Sequence, residues 1–125
     1  MEFRLRFYRT SDGRCPVLEF IEEQRRLNPV LFRQTVAAIR KMQDSRNHGG
    51  ELSQPIDGWR ELFEIRPDGA RVLFIFRGGR LIVLLSAVLK KRNRLPRSVF
   101  KLADTYRIDY LKRCTGDEHE SNETI

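Results

Sequence analysis

Between Trp59 and Leu89 three β-rich runs follow one another with almost no chain between them, and this spacing constrains the fold more than any other feature of the 125 residues. Trp59–Arg66, Ala70–Arg77 and Arg80–Leu89 are rich in Val, Ile, Leu and Phe, and only Pro67-Asp68-Gly69 and Gly78-Gly79 separate them. Gaps this short close hairpins, whereas a parallel connection needs a dozen or more residues. The runs therefore predict an antiparallel meander. A further strand is expected at residues 2–9, where Phe3, Leu5 and Phe7 alternate with Arg4, Arg6 and Tyr8 at period two.

The remaining periodicity is helical. Pro16 suits a helix first turn, and Val17, Leu18 and Ile21 continue an amphipathic pattern to about Arg26. Asn28-Pro29 supplies an N-cap and an N1 proline for a second helix to about Arg46, with Phe32, Val36, Ile39 and Gln43 on one stripe. Residues 47–58 read as a glycine-rich loop. Pro96 opens a last helix to about Arg113, with Val99, Leu102, Ala103, Tyr106 and Tyr110 on its apolar stripe. The expected order is βααβββα, an α+β domain over residues 1–113 with its helices gathered on one side of a small antiparallel sheet. Residues 114–125 carry four acids and no Lys or Arg, and read as a disordered acidic tail.

The charge is unevenly distributed. The chain carries +7, but residues 59–113 alone hold fourteen Lys/Arg against five Asp/Glu. A basic excess confined to one part of a domain points to a polyanion. Two cysteines a hundred residues apart form neither a disulfide framework nor a zinc pattern, so a reducing, cytoplasmic location is expected. The N-terminus has no apolar signal-peptide core, and no apolar run approaches the ~18–20 residues of a membrane span, so no membrane partner is expected.

Exclusion narrows the chemistry. His48 falls in the glycine loop and His119 in the acidic tail, which leaves no basis for a histidine triad or a metal site. There is no glycine-rich nucleotide fingerprint, and no cofactor is expected. What remains is arginine and lysine on the meander. Strand alternation puts Arg66 and Arg71 on one sheet face, and Lys90, Lys91, Arg92 and Arg94 follow where the third strand runs into the last helix. Guanidinium forks bind phosphate oxygens in pairs, and lysine adds point charge. RNA also carries its own nucleophile. A basic site can promote its cleavage by orienting the 2′-hydroxyl and stabilising charge on the phosphate.

Four blocks in order resemble the HigB-like, phage-derived branch of the RelE/ParE toxin superfamily. They are Phe7-Tyr8-Arg9-Thr10 through Asp12-Gly13 to Pro16-Val17-Leu18-Glu19-Phe20-Ile21; Gly58-Trp59-Arg60-Glu61-Leu62-Phe63-Glu64-Ile65-Arg66; Ala70-Arg71-Val72-Leu73-Phe74; and Leu84-Leu85-Ser86-Ala87-Val88-Leu89-Lys90-Lys91 with Pro96. The resemblance implies a RelE/ParE-like fold and the toxin of a type II toxin–antitoxin pair. It implies a metal-independent endoribonuclease that cuts mRNA on the ribosome, neutralised by a HigA-like helix-turn-helix antitoxin. The alternatives it carries are a ParE-like gyrase inhibitor without nuclease activity, or an inactive protein that only binds its antitoxin.

Matched residue by residue, Arg66, Arg71, Lys91 and Tyr106 are the catalytic candidates. Lys90, Arg92, Arg94, Arg97, Lys101 and Tyr110 are the RNA-binding candidates. The chain departs from the pattern at Ser86, where many members have histidine, and at Ala70, where an aromatic usually precedes the arginine. Leu62 and Glu64 stand where the RelE type carries lysines.

Overall fold

The computed structural model describes residues 2–91, 94–114, 118 and 121–125. Strand β1 (Arg4–Phe7) leads into helices α1 (Pro16–Leu27) and α2 (Pro29–Lys41). Strands β2 (Ser53–Pro55), β3 (Phe63–Ile65), β4 (Ala70–Arg77) and β5 (Leu81–Leu89) follow, and helix α3 (Arg97–Arg113) comes last. The five strands form one sheet in the order β1-β5-β4-β3-β2. The α+β class is as expected.

Three details differ from the sequence reading. First, β1 pairs with β5 in parallel, so the sheet is mixed. Second, β2 lies within the segment read as a loop. Ser-Gln-Pro has no strand propensity, but it pairs with β3 at the sheet edge, where a proline's missing N–H is tolerated. Third, the helices do not gather on one side. Leu5, Phe7, Val72, Phe74, Ile82 and Leu84 pack with α1 and α2, whereas Leu73, Ile75, Leu81, Val83 and Leu85 pack with Ala103 and Tyr110 of α3. A strand covered on both faces has no need to alternate, which is why Leu81–Leu85 reads as one apolar run.

Element ends have local causes. Asn28 caps α2 by accepting from the Leu31 N–H at 3.2 Å. That helix stops at Lys41, short of Arg46, because Asp44 caps a separate turn of 3-10 helix at Ser45–Asn47. The expected strand from Trp59 shrinks to Phe63–Ile65, because residues 59–62 form a turn with Glu61 at φ 66°. Leu102, assigned to the apolar stripe of α3, is exposed. His48, read as a loop residue, packs its ring against Phe3 and Phe76 on the α1/α2 face.

Helix α3 is fastened to the sheet by Tyr8, which is buried and whose hydroxyl donates to Asp109 at 2.5 Å. Asp109 also accepts from Arg113. These bonds, Arg113 first, hold the Asp109 carboxyl down at about 2. A depressed carboxylate pKa adds stability that is present above the unfolded value near 4 and is lost as pH falls through the folded one. The difference in melting temperature between wild type and Asp109→Asn should therefore be largest above pH 4 and narrow as pH drops to about 2.

The described part of residues 114–125 lies against the protein rather than away from it. The Glu123 N–H donates to Leu5 O at 2.7 Å, Glu123 Oε1 accepts from the Phe7 N–H, and Arg9 pairs with the same carboxylate at 2.8 Å. Glu118 pairs with Arg77 at 2.8 Å. Polar composition argues against a core, but it does not forbid satisfying the open edge of β1 and its neighbouring arginines.

Candidate nucleic-acid interface

The hairpin β3–β4 turns at Pro67-Asp68-Gly69, and this turn sets the site. Gly69 has φ +83°, a conformation that L side chains rarely adopt, and a Cβ there would lie 3.4 Å from Leu31 Cδ1. Its carbonyl accepts from the Lys90 N–H at 2.9 Å, tying the turn to the end of β5. Arg66 leaves β3 just before the turn and Arg71 enters β4 just after it. Arg66, Arg71, Lys90 and Lys91 therefore meet at one end of the sheet.

Here two cavities adjoin. The first, of about 650 Å³, is lined by Arg66, Arg71, Lys90 and Lys91 with Glu51, Gln54 and the turn itself. The second, of about 550 Å³, shares Arg66, Arg71 and Lys90 and runs on past Arg94 and Arg97 toward Trp59 and Phe100. Helix α3 points its N-terminal turn into this second cavity, adding the positive end of a 17-residue helix to a basic wall.

Arg71 is the centre of the cluster. It is 8% exposed. Its Nη1 donates to Pro67 O at 3.0 Å and Ala70 O at 2.6 Å, which fixes the guanidinium plane. No carboxylate among the described residues forms a hydrogen bond or ion pair with it. Glu64, the carboxylate with the largest influence on it, instead faces Arg66 Nε at 3.8 Å. Burial lowers the Arg71 pKa from the usual guanidinium value, and Glu64 only partly offsets this. A guanidinium remains charged in proteins, so a buried one without an acid partner favours an arriving anion.

The expected site residues divide clearly. Arg66, Arg71, Lys90, Lys91, Arg94 and Arg97 come together around the two cavities. Lys101, Tyr106 and Tyr110 line neither. Lys101 is exposed on α3. Tyr106 stacks on Tyr8 with ring centroids 4.7 Å apart. Tyr110 is 1% exposed, donates to Glu118 and lies under Arg6. Both tyrosines hold α3 on the sheet, far along the helix from its N-terminus. Arg92 lies outside the described residues. Ser86 pairs with Leu73 inside the sheet and is buried, so it does not reach the cleft.

The sequence reading missed Gln54, Glu64, Trp59 and Phe100 as lining residues. Gln54 belongs to the unforeseen β2. Trp59 was expected to begin a strand, and Phe100 lies in the last helix outside its expected apolar stripe. The described residues of the acidic segment do not cover the basic end. They bond along β1, to Arg77 at the far end of β4 from the β3–β4 turn, and to Arg40 and Tyr110 on the helices.

The sequence profile of the family described as Phage derived protein Gp49-like (DUF891) matches residues 22–107, well over half the chain. The chain belongs to this family. The match spans α2, the meander with the basic turn, and the first two-thirds of α3. It bears out the phage-derived resemblance at the level of the family. No curated protein matches the chain. Among the described residues of this Gp49-like protein, no three His, Cys, Asp or Glu side chains group as metal ligands. None of its described helices is long and apolar enough to cross a membrane.

Proposed function

We propose that this Gp49-like protein is the toxin of a toxin–antitoxin pair and cleaves mRNA on the ribosome, without a metal, using the end of its sheet at the β3–β4 turn. The observation that carries this reading is Arg71. It is a buried guanidinium fixed by two carbonyls, it has no acid partner among the described residues, and it opens on a cleft shared with Arg66, Lys90 and Lys91.

Two of the five N–H donors of Arg71 are committed to Pro67 and Ala70, which leaves three for phosphate oxygens. In this reading Arg71 stabilises the charge that grows on phosphorus as the RNA's own 2′-oxygen attacks. Arg66 binds the same phosphate and exchanges its contact with Glu64 for it. The freed Glu64 carboxylate takes the proton of the attacking hydroxyl, the P–O5′ bond breaks to leave a 2′,3′-cyclic phosphate, and the departing 5′-oxygen takes a proton from water. Lys90 and Lys91 grip the neighbouring phosphate, and Arg94 the one beyond. Tyr106 has no part in the chemistry. The partner antitoxin neutralises the toxin by denying RNA this end of the sheet.

The test is cleavage mapping of mRNA after a short pulse of expression in growing bacteria. Cuts confined to translated codons are expected. Arrested growth with intact mRNA and broken DNA would overturn the reading in favour of a gyrase poison, and no arrest at all would leave only antitoxin binding.

A further inference from the structure

The second cavity does more than extend the phosphate path. Beyond Arg66 and Arg71 its wall adds two aromatic rings, Trp59 from the β2–β3 turn and Phe100 from the first turn of α3, beside Asp57 and Arg97. Their ring centroids lie 6.3 Å apart with planes 38° from parallel. Both rings are only half-buried. Buried Ile56 and Leu95 back them. The Arg97 guanidinium lies over the indole, 5.5 Å from its centroid. A flat cation is thus already parked where a flat ring would stack.

We infer that Trp59 and Phe100 form a pocket for one unpaired nucleobase of the RNA, next to the phosphate held by Arg66 and Arg71. The inference rests on the ribonuclease reading and deepens it. A single strand bound by arginine and lysine alone gains charge neutralisation and nothing for its bases. Aromatic side chains supply the rest, because every base has a face that stacks. Continuity favours RNA here: Arg66, Arg71 and Lys90 line both cavities, so a strand whose phosphate sits on them carries its base directly to the indole. As the base stacks, Arg97 leaves the indole and turns to a phosphate. The aromatic partner that the sequence lacks at Ala70 is supplied from a different element. Tyr106, the catalytic candidate, and Tyr110, an RNA-binding candidate, are engaged instead by Tyr8 and Glu118.

Trp59 is the sole tryptophan of the chain, so its fluorescence reports on this pocket alone. The probe is a short single-stranded oligoribonucleotide with every 2′-hydroxyl methylated, which binds and is not cut. Saturable quenching of the emission is expected, with no quenching by inorganic phosphate at concentrations that compete for the arginines. Trp59→Leu is expected to weaken binding of the same labelled oligonucleotide about tenfold, within the range of one stacked base. Trp59→Phe, which keeps a stacking ring and the packing against Phe100, is expected to retain most of the affinity. Saturable binding without any change in emission, or full affinity in a folded Trp59→Leu variant, would overturn the base pocket and leave the ribonuclease reading standing. Absence of binding together with intact cellular mRNA would overturn both.

Discussion

Arg71→Ala is expected to abolish growth arrest and to reduce mRNA cleavage on the ribosome by about 10²–10³-fold, the usual loss when a positioned donor to a developing oxyanion is removed. The size follows from the geometry. Among the described cleft cations, Arg71 alone is both buried and fixed by the carbonyls of Pro67 and Ala70. Its charge acts in a low-dielectric site and needs no reorganisation when the phosphate arrives. The substitution removes a side chain whose partner Pro67 lines an open cavity, so water can replace the donor lost to Pro67 O. The purified variant should therefore keep its circular dichroism spectrum. Arg71→Lys should recover only part of the activity, since an ammonium restores charge but not the planar fork. A folded Arg71→Ala protein with undiminished toxicity would remove the cleft from the mechanism.

The second large effect concerns the fold beneath the cleft. Phe74 is fully buried on β4, 5.6 Å from Phe63 and 5.2 Å from Phe76 between ring centroids. These rings join β3 to β4 on the face that α1 and α2 cover. Phe74→Ala opens a cavity that rigid strands cannot close, at a loss of about 3–5 kcal/mol. A domain of this size has a total stability of about 5–15 kcal/mol. The melting temperature should fall by about 10–20 °C, and the urea midpoint should fall with little change in slope. A loss below about 1 kcal/mol would mean that the aromatic cluster does not hold the hairpin.

Much of this architecture is legible in the chain, for reasons that differ by element. Strand β4 runs from Ala70 to Arg77 as its composition and flanking turns demand. The cluster of Arg66, Arg71, Lys90 and Lys91 is legible because a hairpin with a three-residue turn must bring its flanks together. What escaped the reading was non-local. Nothing in Ser53-Gln54-Pro55 marks a strand, since its order comes from β3. The parallel pairing of β1 joins segments over seventy residues apart. Alternation along β4 reveals two faces but not that α3 covers the second one. Tyr106 and Tyr110 have the right chemistry for RNA, but their place on the sheet follows from how α3 packs, which no local pattern encodes. Trp59 was hidden by the opposite error. An aromatic at the start of a β-rich run reads as a strand residue until the turn at Glu61 lifts it out of the strand.

The segment along β1 bears on how any protein can inhibit this one. An outer strand ordinarily offers its free amides to any extended chain. On this sheet one margin is already taken, with the amides of Leu5 and Phe7 engaged by Asn122 and Glu123. The other margin, β2, is three residues long and ends in Pro55, which has no N–H to give. A partner that sought to lengthen the sheet would have to evict Glu123 and part it from Arg9, or grip a strand too short to hold it. Under the proposed function, an inhibitory partner is thereby steered away from the margins and toward the cleft that Arg66, Arg71, Lys90 and Lys91 line.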